Sequence, residues 1–171
     1  MFATTTISVV VPAHNEEKFI SGCLFAINIA EKNLTQKSGS FRVETVVVLN
    51  RCTDATEQIA KEHGAVTVVD ESRCIAAVRN RGIAEATGDI LVTCDADSRL
   101  HPQALCMVVD ALRDSKIIGG GMPIRYDRRS AGIVVTEWFL DLCVILTGLS
   151  AGAFWERQKL FVQYPGLMKI Y

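Results

Sequence analysis

Short runs of β-branched residues recur along this chain, each followed by a turn and then by apolar residues at helical spacing. Ile7-Ser8-Val9-Val10-Val11 reads as a buried strand ended by Pro12, and Phe19, Ile20, Cys23, Leu24, Ile27 and Ala30 follow as one helix face. Asn15 is expected to cap that helix, with Glu16 and Glu17 at the positive end of its dipole. Val43 to Leu49 is a second strand, and Asp54 with Glu57 marks a helix start that Gly64 ends. Val66 to Val69 is a third strand, followed by a helix over Ile75 to Ala86 that Gly88 closes. Asp89 to Thr93 is a fourth strand; Pro102 opens a helix whose buried side is Leu105, Val108, Val109 and Leu112. Lys116 to Gly120 is a fifth strand candidate. Such alternation predicts an α/β domain, a mostly parallel sheet with helices on both faces. Ligands of these sheets bind at the carboxyl ends of the strands. The polar clusters His14-Asn15, Asn50-Arg51 and Asp95-Ala96-Asp97 all fall there.

A chain of 171 residues is one domain by default. With 18 basic against 19 acidic residues, there is no electrostatic reason to expect nucleic acid as a partner. The six cysteines include no Cys-x-x-Cys pair, which removes zinc and thioredoxin-type readings and suits free thiols in a reducing cytoplasm. The most hydrophobic long stretch, Ala131 to Phe154, contains Glu137 and Asp141 and is interrupted by Gly148 and Gly152. A helix packed on the sheet or lying on a membrane surface fits it better than a spanning one. That leaves room for peripheral contact at the inner face of a membrane.

Asp95 and Asp97 are the strongest chemical signal. In continued extended geometry both would point to one side, where two carboxylates repel each other. A divalent cation such as Mg²⁺ or Mn²⁺ removes the repulsion and bridges to phosphate oxygens. A capping turn leading to Pro102 is the alternative. Pro12-Ala13-His14-Asn15-Glu16 forms the first strand-to-helix turn, where backbone N–H groups favour anions. Glu16 and Glu17 oppose a phosphate there, so a nucleoside or ribose contact fits better. His14 can equally pack at the turn. No Gly-x-Gly-x-x-Gly and no P-loop is present. Arg79 lies in the helix before the fourth strand, with Arg73 and Arg81 nearby; an arginine there can hold a base edge or a phosphate. Arg125, Arg128 and Arg129 read as a basic surface loop.

Together these segments resemble the family 2 glycosyltransferases, which have the GT-A (Rossmann-like) fold. The resemblance is carried by Ser8 to Glu16, by Val46-Val47-Val48-Leu49-Asn50-Arg51-Cys52-Thr53-Asp54-Ala55-Thr56, and by Arg79 to Ile90 leading into Asp95-Ala96-Asp97. It implies a nucleotide-diphosphate sugar donor, UDP- or GDP-linked, and inverting transfer to an acceptor hydroxyl, saccharide or lipid-linked. It also implies that Pro12, His14, Asn15 and Glu16 belong to the nucleoside side of the site, that Asn50 and Asp54 form its second wall, and that Arg79 approaches the base or phosphates. Asp95 and Asp97 match the family's DXD motif, with Asp97 as the direct metal ligand and Asp95 holding ribose or assisting the metal. Residues 1–121 would then be the nucleotide-sugar-binding core of a single domain, and 122–171 the start of an acceptor-side region.

Two departures stand out. Many relatives carry a base-contacting aspartate where this chain has Leu49. Relatives also continue past a Gly-Gly-Phe-like turn to a Glu-Asp pair that supplies the general base. Phe154 to Phe161 resembles the approach to that turn, but no acidic residue follows Glu156 in the sequence that ends at Tyr171. The resemblance thus implies a C-terminally incomplete fold with no assignable general base, as in a truncated or frameshifted product or a chosen domain boundary. A non-catalytic nucleotide-sugar-binding remnant is the second reading. A nucleotidyltransferase is the third, and it lacks the Gly-rich, basic loop such an enzyme needs after its first strand.

Overall fold

The computed structural model describes residues 4–122, 125, 130–147 and 153–157. Five strands and four helices alternate as expected: β1 (Thr5–Ala13), α1 (Ile20–Lys37), β2 (Phe41–Asn50), α2 (Thr56–Glu62), β3 (Val66–Asp70), α3 (Ile75–Glu85), β4 (Ile90–Thr93), α4 (Ala104–Ala111) and β5 (Gly119–Gly121). Then come α5 (Ala131–Thr147) and β6 (Phe154–Arg157). The sheet order is β3-β2-β1-β4-β6-β5. The β1–β2, β1–β4 and β2–β3 pairs are parallel, whereas β6 runs antiparallel to both neighbours. This is the mostly parallel, doubly covered sheet of a GT-A fold.

Strand residues alternate between two cores because successive side chains leave opposite faces. Ile7, Val9 and Val11 of β1, with Val47 and Val92, pack under Ile20, Leu24 and Ile27 of α1 and Leu105 and Val108 of α4. Val10, Val46, Val48 and Leu91 face the other way, onto Val78 and Ile83 of α3. Gly82 sets how closely α3 approaches. A Cβ built there would lie 2.4 Å from Val10 Cγ1 and 2.6 Å from Val48 Cγ2.

The edge of the sheet opposite the strand carboxyl ends is held by Glu44. Its carboxylate accepts from Ser8 Oγ, from Thr87 N at 2.6 Å and from Thr87 Oγ1 at 2.8 Å, while Gly88 N donates to Ser8 Oγ at 2.8 Å. Burial pushes the Glu44 carboxyl up, but these donors outweigh it and hold it below the usual glutamate range. A depressed folded-state pKa gives stability that is present above the unfolded value of about 4.3 and lost as pH falls through the folded value. Glu44→Gln is therefore expected to lower stability by about 1 kcal/mol at neutral pH and to flatten the acid limb of the stability curve. Thermal melts of both proteins from pH 7 downward measure this; parallel curves would show that Glu44 takes no part in acid unfolding.

Several local expectations are corrected. Asn15 does not cap α1, which starts five residues later with no side-chain cap and no acidic residue in its first turn. Asn15 instead adopts φ 56° and bonds across to Thr53. Gly88 does not cap α3, whose C-cap is Ala86 in an extended conformation. Gly88 is required by close packing, since a Cβ there would lie 2.5 Å from Ser8 Oγ. The fifth strand is shifted to Gly119–Gly121, and β6 was not anticipated as a strand. The apolar stretch does form a helix, α5, which exposes Val134, Val135, Trp138 and Phe139. Among the described residues no helix is long and apolar enough to cross a membrane. Arg128, Arg129 and the tail from Phe161 to Tyr171 lie outside the described residues.

Candidate functional site

The loops after β1, β2, β3 and β4 meet along the carboxyl edge of the sheet and enclose a cleft of about 430 Å³. Pro12, His14 and Glu16 come from the first loop, Asn50 and Arg51 from the second, and Asp95 and Asp97 from the fourth. Arg79 reaches in from α3. Ser72, Arg73, Cys74 and Ile75 close the cleft beyond β3. Four strands deliver these residues to one place because a parallel sheet aligns all its carboxyl ends.

Asn15 and Asp54 do not line the cleft; they fasten its walls. Asn15 Oδ1 accepts from Thr53 N at 2.8 Å, and Asp54 Oδ2 accepts from Glu17 N at 3.1 Å. Glu17 Oε2 in turn accepts from Ala55 N at 3.2 Å, and Thr56 Oγ1 accepts from Glu16 N at 2.8 Å. Asp54 also takes Thr56 N at 3.0 Å, satisfying one of the orphan donors that open α2. Arg51 adopts φ 50°, so both loops hold a non-glycine residue in the left-handed region. Such backbone costs of order 1–3 kcal/mol and persists where surrounding bonds impose it.

His14 Nδ1 lies 2.6 Å from the Asn50 carbonyl oxygen. A carbonyl only accepts, so Nδ1 carries the proton. The Asn50 amide nitrogen is committed to Asp70 O, Asp70 Oδ1 and Ser72 O, at 3.0, 3.3 and 2.8 Å. Asn50 is therefore a strap between the ends of β2 and β3.

At the other end, Asp95 and Asp97 sit in a turn in which Ser98 N donates to Asp95 O at 2.9 Å, not in continued extended geometry. Both still line the cleft. Arg79 Nη2 lies 2.7 Å from Asp95 Oδ1, whereas Arg79 Nε is buried with no partner among the described residues. Among the described residues Asp97 engages the Ser98 hydroxyl alone, at 3.4 Å. Glu16 titrates above the usual glutamate range, first because burial desolvates it and then because Asp97, Asp54 and Asp95 repel its charge. Among the described residues no three or more His, Cys, Asp or Glu side chains are grouped to hold a metal. Asp97 and the second oxygen of Asp95 instead offer hard oxygen donors on the wall of the cleft, near enough to Glu16 for their charges to raise its pKa. That donor set suits Mg²⁺ or Mn²⁺ shared with phosphate oxygens.

Of the Ser72–Ile75 wall, the sequence points only to Arg73, as a neighbour of Arg79; Ser72, Cys74 and Ile75 are not singled out as part of the site. Their one available signal was position, directly after a strand of the parallel sheet.

Comparison with known proteins identifies the fold and the family. The chain is 29% identical over 128 residues to glycosyltransferase AglE of Haloferax volcanii, covering 70% of this chain and 40% of AglE. It is 28% identical over 104 residues to the putative glycosyltransferase EpsH of Bacillus subtilis, covering 58% of this chain and 28% of EpsH. The chain thus spans less than half the length of these curated relatives. Glucosyl-3-phosphoglycerate synthase from Mycobacterium tuberculosis, solved with UDP, superposes with a TM-score of 0.64 at 25% identity, over 92% of this chain and 58% of that one. The same enzyme solved with Mn²⁺, UDP and phosphoglyceric acid gives 0.63 at 26% identity, over 92% of this chain and 57% of that one. Staphylococcus aureus TarS, at 19% identity, shares the fold with a TM-score of 0.70 over 94% of this chain and 49% of that one. The model of glycosyl transferase family 2 matches residues 8–164, a span that holds every residue of the cleft, and the chain belongs to that family.

Proposed function

We propose that the cleft binds a nucleotide-diphosphate sugar, UDP- or GDP-linked, together with Mg²⁺ or Mn²⁺, for inverting transfer of the sugar to an acceptor hydroxyl on a saccharide or lipid-linked acceptor. The observation that carries this reading is the placement of Arg79, with its unpartnered Nε, beside Asp95 and Asp97 at the carboxyl edge of the sheet. The UDP and Mn²⁺ of the mycobacterial relative support it. Asp97 would be the direct metal ligand, with Asp95 assisting. The cation would supply positive charge against the leaving diphosphate. Arg79 would add a charge-assisted hydrogen bond to the same oxygens as the glycosidic bond breaks. The acceptor would attack the opposite face of the sugar and lose its proton to a base. No described residue of the cleft is assigned that task.

Residues 1–121 would form the donor-binding core and residues 122–171 the beginning of the acceptor side. The free thiols Cys23, Cys52, Cys74, Cys94 and Cys106 suit a cytoplasmic protein, and the exposed apolar side chains of α5 suit peripheral contact with a membrane surface.

Titration calorimetry with a UDP- or GDP-sugar tests the donor site. Binding is expected between millimolar and micromolar, on the order of 4–8 kcal/mol, in Mn²⁺ and not in EDTA. Equal binding in both would remove the metal from the mechanism.

A further inference from the structure

The turn after β4 is gripped from both faces of the sheet. On the α3 face, Arg79 pairs with the Asp95 carboxylate. On the α1 face, the grip is on the main chain. Asp95 O accepts from Ser98 N at 2.9 Å, which closes a turn over Asp95, Ala96, Asp97 and Ser98. The same oxygen lies 3.6 Å from the Cys23 thiol of α1 and 3.6 Å from the Cys94 thiol beside it in the chain, and both sulfurs donate to it. Cys23, Cys94 and Ala96 are all buried in the core between the sheet and α1. The backbone of the turn thus belongs to that core, while Asp95 and Asp97 line the cleft.

A carbonyl oxygen has two lone pairs, and a buried one left without a donor is costly. Ser98 N takes one of them in closing the turn. If the other lost its donors, the peptide plane after Asp95 would be free to tilt in search of a new one. Such a tilt redirects the side chains on either side of it, which here include both carboxylates. A thiol satisfies the oxygen as a weak, neutral donor. It brings no positive charge that would compete with a cation for the same carboxylates. The two thiols differ in what they can fix. Cys94 adjoins Asp95 and moves with the turn. Cys23 belongs to a separate element and ties the turn to it. That element also serves the first loop of the cleft: Phe19 N and Ile20 N both donate to Glu16 O at 2.9 Å, and Cys23 N donates to Phe19 O one turn further on, at 3.2 Å. One helix therefore links the loop that carries Glu16 to the turn that carries Asp95 and Asp97.

We propose that Cys23 is a positioning residue, whose thiol holds the Asp95 carbonyl so that Asp95 and Asp97 present their carboxylates to one cation. It touches neither metal nor nucleotide and acts through the main chain of the turn. This role rests on the proposed metal-dependent donor site.

Manganese titration of the full chain by electron paramagnetic resonance, with UDP and separately with GDP, tests the role. Each variant is measured well below its own melting midpoint. Cys23→Ala removes the donor, and Cys23→Val removes it while filling the space. Each is expected to weaken Mn²⁺ binding about fivefold, the scale of a lost supporting hydrogen bond. Cys23→Ser keeps a donor and is expected to stay within about twofold of the parent. Cys106 is a control: it is buried in the same core, on α4, and Cys106→Ala should lower the melting midpoint while leaving Mn²⁺ affinity unchanged. Parent-like Mn²⁺ affinity in Cys23→Ala and Cys23→Val would overturn the proposal. Equal losses in Cys23→Ser and Cys23→Ala, or an equal loss in Cys106→Ala, would overturn it too, since packing alone would then account for the effect. In each of those results the parent still binds Mn²⁺ with nucleotide, so the donor site stands. A parent that binds no Mn²⁺ with either nucleotide would overturn the donor site and this role with it.

Discussion

Replacing Gly82 by alanine is expected to destabilise the protein by about 1–3 kcal/mol and to weaken nucleotide binding as well. Two effects compete. Alanine improves helix propensity over glycine by about 1 kcal/mol. The added methyl, however, would stand 2.4 Å and 2.6 Å from side-chain carbons of Val10 and Val48, which are themselves fully buried in the neighbouring strands β1 and β2. Branched side chains in such a core have one favoured rotamer and no space to yield. The helix must therefore lift from the sheet, and overpacking wins. Arg79 lies one turn earlier on the same helix and holds Asp95 at 2.7 Å. Lifting the helix carries its guanidinium away from the acidic end of the cleft. Denaturant melts and calorimetric binding of nucleotide measure the two effects on one sample. A variant as stable as the parent would mean that the contact between helix and sheet is looser than the distances imply.

The two aspartates at the end of β4 are expected to differ in their sensitivity. Asp97→Asn should weaken Mn²⁺ binding in the presence of nucleotide by roughly a hundredfold, and Asp95→Asn by roughly tenfold. The reason is prior engagement. One oxygen of Asp95 is already paired with Arg79, whereas among the described residues Asp97 meets only its neighbouring serine. Neutralising Asp97 removes a donor oxygen that has no competing partner. Neutralising Asp95 removes charge but leaves a carbonyl oxygen able to accept from Arg79. Manganese titrations followed by electron paramagnetic resonance distinguish the pair. Greater loss from Asp95→Asn would reverse the roles of the two side chains.

The periodicity of apolar residues revealed β1 to β4 and their helices because each element buries one face locally, and that requirement is written in consecutive residues. Asp95 and Asp97 stand out in the sequence for a related reason: two carboxylates placed two residues apart directly after a buried strand repel each other unless something offsets their charge. Other features depend on distant partners. Phe154 to Arg157 carries no alternation of its own and becomes a strand only because β4 and β5 offer it edges on both sides. Asn15 and Asp54 have the composition of helix caps. Tertiary bonds between the two loops decide what they do: Asn15 ties to Thr53, and Asp54 braces both its own helix and the neighbouring turn. The Ser72–Ile75 wall contains no motif at all, and only the direction of β3 brings it to the cleft.

The position of β6 bears on how the protein is made. This strand lies between β4 and β5, although it follows both in the chain. A ribosome delivers β4 with one flank ready to join β1, while the other waits through the synthesis of α4, β5 and α5. For that interval the nascent sheet has a bare edge of main-chain donors and acceptors, the kind of surface on which two unfinished copies pair with each other. The strand that carries the acidic end of the cleft is thus the last of the parallel four to be enclosed, and its protection arrives from the far side of a hydrophobic helix.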